Sequence, residues 1–226
     1  MALATEKITE FGDALYEAMR ARSTIAPLTE QAPDIEIEEA YRVSLRMLER
    51  RLADGESMIG KKIGVTSKVV MDMLNVRQPD FGFLTDTMVY GHGAEVPASS
   101  QLIQPKAEGE IAFVLKNALE GPGITSADVI AATDFVMPCF EIVDSRIRDW
   151  QIKIQDTVAD NASCGAIVLG DKAVSPLDVD LTTCGIVVEL NGEIISTGAG
   201  AAAMGSPLNC VAWLANTLGR FDIGLE

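Results

Sequence analysis

The sequence predicts an α+β fold. Apolar residues recur at helical spacing near the N-terminus, an Asn-Gly pair separates two β-rich runs, and a Ser-Pro pair opens one late helix. The first helix covers Ile8 to Met19, with Ile8, Phe11, Leu15 and Met19 on one face. A loop with Ala26-Pro27 follows. A second helix runs from about Glu38 to Ala53 and stops near Gly55, with Tyr41, Leu45, Met47 and Leu48 as core residues. Strands then dominate. Met58 to Val65 holds the first, and Thr66 or Ser67 caps a short helix through Leu74. Thr85 to Tyr90 and Gln101 to Gln104 are weaker strand candidates. Gly121-Pro122-Gly123 is a turn, and Thr125-Ser126-Ala127-Asp128 resembles a capping box ahead of a helix to about Ala132. Cys184 to Leu190 and Glu193 to Thr197 flank Asn191-Gly192, which predicts a hairpin. Ser206-Pro207 supplies the N-cap and first residue of a helix through about Leu218.

The chain has 226 residues, enough for one large domain or two small ones, and its 48% hydrophobic content argues against disorder. A net charge of −15 argues against a general nucleic-acid or anionic-membrane surface. An anionic substrate would need a local basic pocket to overcome that field. No apolar run approaches a membrane span, and Met1 to Lys7 lacks the order of a signal peptide, so a cytoplasmic protein is expected. Cys139, Cys164, Cys184 and Cys210 are widely spaced, which reads as reduced thiols. The single histidine, His92, sits in Gly91-His92-Gly93 and reads as an exposed turn. This scarcity removes His-based metal sites and Ser-His-Asp triads. Acid–base chemistry then falls to carboxylates, lysine, tyrosine or metal-bound water.

The chemistry concentrates in a few segments. Glu108-Gly109-Glu110 interrupts Pro105 to Leu115, which otherwise reads as a buried strand. Alternation along a strand puts Glu108 and Glu110 on one face with Ala112 and Val114. Two adjacent carboxylates repel, and burying them is costly. A hard divalent cation such as Mg²⁺ or Mn²⁺ resolves both problems. Glu141, flanked by Phe140 and Ile142, adds a third carboxylate in an apolar run. The competing reading is an edge strand with its polar face in water.

In Met58 to Val65 one of Lys61 and Lys62 must point inward. Lys62 shares its face with Gly60 and Gly64, which leaves room for a ligand. Such a lysine could bind a carboxylate or act as an acid–base group with a lowered pKa, although a surface lysine pair is the commoner pattern. Gln78-Pro79-Asp80-Phe81-Gly82 reads as a compact turn, with Asp80 either a general acid or base or a turn aspartate bonded to its own backbone. Asp156 to Gly165 is dense in small polar groups and reads as a loop, either lining a pocket or solvated. Arg146 and Arg148 are candidates for local salt bridges rather than substrate contacts.

Together these segments resemble the 2-hydroxypentadienoate (2-oxopent-4-enoate) hydratases of aromatic-ring catabolism, within the fumarylacetoacetate hydrolase superfamily. The matching motifs are Gly60 to Gly64, Gln78 to Gly82, Lys106 to Glu110, Glu141 to Arg146 and Asp156 to Gly165, and the likeness covers essentially the whole chain. The resemblance implies a mixed β-roll or barrel-like sheet with N-terminal and flanking helices. Residues 1–57 would form the helical region and residues 58–226 the catalytic one. It implies Glu108, Glu110 and Glu141 as ligands of Mg²⁺ or Mn²⁺, Lys62 and Asp80 as an acid–base pair, and Asn161 and Ser163 as substrate contacts. The implied activity, in the meta-cleavage catabolism of aromatic compounds, adds water to 2-hydroxypenta-2,4-dienoate to give 4-hydroxy-2-oxopentanoate. The sister 4-oxalocrotonate (2-oxo-hex-3-enedioate) decarboxylases share the glutamates and the lysine but look different at the turn that holds Asp80. A non-catalytic partner subunit is a further alternative. The family also implies a homo-oligomer and a complex with the sister decarboxylase or a downstream aldolase, with no nucleic acid or membrane involved. Family members continue into a further glycine-rich strand segment, which this chain, ending at Glu226, is expected to lack.

Overall fold

Two amphipathic helices, α1 (Thr5–Ala21) and α3 (Ile37–Ala53), pack face to face, with the four-residue α2 (Leu28–Gln31) between them in sequence. Phe11, Leu15, Val43 and Met47 are buried in that seam. The helices approach closely at Gly12, where a Cβ would stand 2.5 Å from Arg46 Cγ. Asp13 then joins the outer edges, accepting from Arg46 Nε at 2.8 Å and from Arg50 Nη1 at 3.0 Å. These partly exposed pairs contribute little beside the apolar seam. The structure, a computed structural model, describes residues 3–226.

The remaining helices are α4 (Lys68–Met73), α5 (Ala98–Gln101), α6 (Ser126–Ala132), α7 (Ile154–Ala159) and α8 (Pro207–Leu218). The strands are β1 (Met58–Gly64), β2 (Asp80–Thr85), β3 (Val89–Tyr90), β4 (Lys106–Leu115), β5 (Thr133–Val143), β6 (Cys164–Leu169), β7 (Gly185–Leu190) and β8 (Glu193–Ala199). They form an antiparallel β1-β2 pair, a four-stranded sheet of order β3-β6-β5-β4 and a β7-β8 hairpin. The fold is α+β, and among the described residues none of these sheets closes on itself. No helix among them is long and apolar enough to cross a membrane.

By contacts the chain divides into two units. One holds the segment ending at Gly64 with Asp80–Glu108 and Glu141–Ile167; the other holds Val65–Pro79, Gly109–Phe140 and Val168–Glu226. In the second unit most of the expected local signals are present; α8 opens on Pro207 as expected, but the Ser206 hydroxyl makes no capping hydrogen bond. Ser67 Oγ caps α4 by accepting from Val70 N–H at 3.2 Å, and Thr125 with Asp128 forms the capping box of α6. Asn191 and Gly192 both take positive φ, 54° and 84°, as a tight hairpin turn requires.

Four expectations change. The expected strand at Gln101 to Gln104 is absent, because α5 occupies Ala98–Gln101 and a side chain replaces the ladder beyond it. Asp144 Oδ1 accepts from Ile103 N–H at 3.0 Å and from Gln104 N–H at 2.7 Å, so those donors have no need of a neighbouring strand. The strand expected over Thr85 to Tyr90 lies earlier, as β2, and Asp86–Met88 form a helical turn before the short β3. Asp80 is therefore the first residue of a strand and not part of a compact turn. The small-polar segment Asp156 to Gly165 is not a loop either. It runs through α7, a tight turn at Asn161–Ser163 and the start of β6. Asp156 is fully buried and ties α7 to α2, accepting from Thr29 N–H at 3.0 Å and Thr29 Oγ1 at 2.8 Å.

Arg146 is structural, as its sequence setting suggested. Its side chain is buried, and Nε donates to Asp160 Oδ1 at 2.5 Å while Nη1 donates to Cys164 O at 3.1 Å. Burial pushes the Asp160 carboxyl up to about 6 despite the guanidinium beside it. Arg148, in contrast, is exposed. Removing the guanidinium would leave a buried carboxylate unpaired. Arg146→Met should therefore lower unfolding free energy by about 3–5 kcal/mol. Denaturant unfolding checks this, and a loss below about 1 kcal/mol, the level of an exposed pair, would contradict it.

Candidate active site

Strand alternation decides which lysine of β1 faces inward. Lys62 is buried and Lys61 only half-buried. Lys62 Nζ donates to Ala162 O at 3.0 Å and stands 3.2 Å from Glu141 Oε1. The second approach is an ion pair poorly aligned for hydrogen bonding, and Glu141 Oε1 has no hydrogen-bond partner. Glu141 reaches this point because β5 alternates, burying Glu141 and leaving Phe140 exposed.

Asp80 enters from the neighbouring strand. The ladder sets Gly64 opposite Asp80 and Lys62 opposite Gly82. A Cβ at Gly64 would lie 2.5 Å from Asp80 Oδ1 and 2.8 Å from Lys62 Nζ, so glycine there lets both charged heads crowd one spot. Asp80 is buried and its Oδ1 is without a hydrogen-bond partner. On the other face of β2, Phe81 stacks on Tyr41 with ring centroids 4.1 Å apart, and Phe83 meets Phe81 edge-on at 5.8 Å. The alternation of aspartate and glycine with two phenylalanines thus separates a polar face from a core face.

The electrostatics of the group are coupled. Burial raises the Asp80 and Glu141 carboxyls, with Lys62 opposing and the charge of Glu108 adding to both. Burial alone would lower the Lys62 ammonium. Glu141 and Asp80 together outweigh it, so its pKa is raised and not lowered as anticipated for an acid–base lysine. The Cys164 thiol is held well above its ordinary range, chiefly by burial and then by the charge of Glu141.

The other expected site residues behave differently. Glu108 and Glu110 are exposed, in the outer half of β4, contrary to the buried strand anticipated there. Glu110 falls in the second unit, where its charge adds to burial in pushing the Cys210 thiol up to about 12. Among the described residues no group of three His, Cys, Asp or Glu side chains is gathered tightly enough to hold a metal ion. Glu141 itself stands 3.2 Å from Lys62 Nζ. The donor chemistry nonetheless suits a hard cation. Glu141 offers a buried carboxylate oxygen without a hydrogen bond, and Glu108 is near enough to act on it electrostatically.

Asn161 and Ser163 flank Ala162, and all three have positive φ, between 49° and 56°. The Asn161 amide is committed to Phe83, accepting from its N–H at 2.7 Å and donating to its carbonyl at 3.0 Å. Ser163 Oγ lies 2.9 Å from Thr157 Oγ1. Both side chains already have protein partners. His92 is exposed in a turn, as anticipated. The Ala162 carbonyl and the Cys164 thiol carried no sequence signal, because a backbone acceptor depends on dihedral angles that composition does not reveal.

A family model for the fumarylacetoacetate (FAA) hydrolase C-terminal region matches residues 58–223. The chain belongs to the fumarylacetoacetate hydrolase family. It is 69% identical to a 2-hydroxypent-2,4-dienoate hydratase of Pseudomonas putida, over 96% of this chain and 97% of that protein. It is 59% identical to a 2-hydroxyhexa-2,4-dienoate hydratase of Comamonas testosteroni, over 94% and 81% respectively. Among solved structures, the 4-oxalocrotonate decarboxylase of Pseudomonas putida G7, complexed with magnesium and adipate, superposes with a TM-score of 0.95. That pair shares 38% identity and covers 99% of this chain and 85% of the decarboxylase.

The burial difference within β1 is directly testable. Lys62→Ala should lower kcat by at least about 10²-fold, while Lys61→Ala stays near wild type. Steady-state kinetics of both variants decide it. Equal and mild effects would remove the lysine from the chemistry.

Proposed function

We propose that this member of the fumarylacetoacetate hydrolase family is a metal-dependent hydro-lyase acting on 2-hydroxypenta-2,4-dienoate, or its 2-oxo tautomer. The product is 4-hydroxy-2-oxopentanoate. The observation that carries the reading is the buried group of Lys62, Asp80 and Glu141, in a chain whose similar relatives are named hydratases. Glu108, Glu110 and Glu141 are the residues proposed to hold Mg²⁺ or Mn²⁺. When bound, that ion supplies Lewis-acid polarisation to the 2-oxo acid end of the substrate.

The chain's own residues handle protons. Ketonisation needs a proton delivered to C5, giving an α,β-unsaturated 2-oxo acid. Hydration then needs water activated at C4 and a proton placed on C3. Lys62 and Asp80 are the pair proposed for these transfers, a reading supported by the hydrogen-bond capacity left on Asp80 Oδ1. Of the two residues expected to contact the substrate, Asn161 and Ser163, this reading keeps Ser163, because the Asn161 amide is committed to Phe83. It also takes residues 1–57 as a helical region, residues 58–226 as a catalytic roll, and the working form as a homo-oligomer that can pair with the sister decarboxylase or a downstream aldolase.

A decarboxylase acting on a 4-oxalocrotonate-like acid is the second reading, favoured by the backbone likeness to that enzyme. Asp80 weighs against it. Loss of CO₂ from a chelated 2-oxo acid needs chiefly an electron sink, whereas hydration needs proton transfer at the far end of the chain. Asp80→Asn should slow formation of the 4-hydroxy product by about 10²–10⁴-fold and leave oxalate affinity intact. Unchanged hydration would remove Asp80 from the mechanism and turn the balance to the decarboxylase. Glu108→Gln should weaken Mg²⁺ or Mn²⁺ binding, read by calorimetry, and abolish turnover, because an amide does not replace the ligand charge. Full activity of that variant after EDTA treatment would contradict the metal assignment.

A further inference from the structure

We infer that Asn161 is a positioning residue for Lys62, acting through the Ala162 carbonyl, and is not a contact for the substrate. The inference rests on the proposed role of Lys62 in proton transfer. Three observations on one small region carry it. First, both ends of the Asn161 amide are used: Oδ1 accepts from Phe83 N–H at 2.7 Å and Nδ2 donates to Phe83 O at 3.0 Å. The amide therefore behaves like an added strand residue on β2 and has little capacity left for a ligand. Second, the Asn161 backbone presses on β2 at Gly82. A Cβ there would lie 2.4 Å from Asn161 O and 3.1 Å from Asn161 Oδ1. Gly82 is the ladder partner of Lys62, and directly opposed strand residues present their Cβ positions on one face. The space left by the missing Gly82 side chain is thus filled by Asn161, beside Lys62.

Third, the backbone from Asn161 to Ser163 is held in the left-handed region at three successive non-glycine residues, with φ of 56°, 49° and 51°. Such a run is unfavourable for L-residues and persists only where its surroundings enforce it. What the run accomplishes is visible at its centre, where Ala162 O accepts from Lys62 Nζ at 3.0 Å. That acceptor fixes one of the three ammonium donors. The same nitrogen stands 3.2 Å from Glu141 Oε1 and, over Gly64, beside Asp80, with two donors left for transfer chemistry. Asn161 clamps the turn to β2, the turn aims the carbonyl, and the carbonyl sets the position of the ammonium.

The experiment compares wild type, Lys62→Ala, Asn161→Gly and Gly82→Ala with 2-hydroxypentadienoate and Mg²⁺. Asn161→Gly deletes the amide while tolerating the left-handed backbone. Gly82→Ala keeps the Asn161 side chain but drives a Cβ against the Asn161 carbonyl, displacing the turn from the β2 side. Asn161→Ser, which retains one hydroxyl for Phe83, serves if the glycine variant does not fold. Thermal unfolding accompanies each measurement. For a displaced Lys62, kcat should fall about 10²-fold, with oxalate affinity kept within about threefold of wild type. The same split is expected for Gly82→Ala. If instead oxalate affinity and KM weaken as much as kcat, or kcat is unchanged, Asn161 does not act through Lys62 and the inference is overturned. If Lys62→Ala itself turns over like wild type, the functional reading has failed, and the inference falls with it. The two failures are distinguished by that variant.

Discussion

A buried ammonium constrains the whole first unit. Lys62 has little water around it, and an unpaired charge in that setting is costly by several kcal/mol. The protein meets this cost with Glu141, Asp80 and the Ala162 carbonyl, drawn from three separate stretches of chain. Each brings its own requirement. Asp80 and Lys62 need glycine at position 64, the Ala162 carbonyl needs a strained turn, and the turn needs glycine at position 82. Two carboxylates beside one ammonium leave an excess of negative charge, with Glu108 adding to it. The proposed cation and proton-transfer roles both draw on that imbalance.

A second buried pair underlies the first. Arg146 and Asp160 satisfy each other just before the strained turn, and Arg146 also donates to the Cys164 carbonyl just after it. The turn is thus held at both ends by the guanidinium and along its side by Phe83. This placement explains why a residue read from sequence as a local salt-bridge partner matters to the site without facing it.

Much of the local structure was legible. Helical spacing in Ile8 to Met19, the capping box at Thr125 and the Asn191-Gly192 turn are short-range signals, and each is where short-range physics puts it. The period of two in β1 likewise singled out Lys62. What failed depended on partners distant in sequence. Gln101 to Gln104 looked like a strand, but Asp144 supplies its acceptors from 40 residues away. Asp156 to Gly165 looked like a polar loop because its polar groups are buried against partners that no window contains. The glutamates of β4 sit in an apolar run yet are exposed, since burial depends on which half of a strand is covered. The backbone shared with a decarboxylase shows the same limit: fold does not choose between reactions, and side chains such as Asp80 must.

The central claim is that water, not loss of CO₂, completes the reaction. Its most direct measurement is turnover of 2-hydroxypentadienoate in ¹⁸O-labelled water with Mg²⁺, with mass analysis of the product and capture of any CO₂ from a 4-oxalocrotonate-type acid in parallel. Label carried by the C4 hydroxyl of 4-hydroxy-2-oxopentanoate, with no CO₂ released, is the predicted result. Release of CO₂ with no labelled 4-hydroxy product would contradict the account.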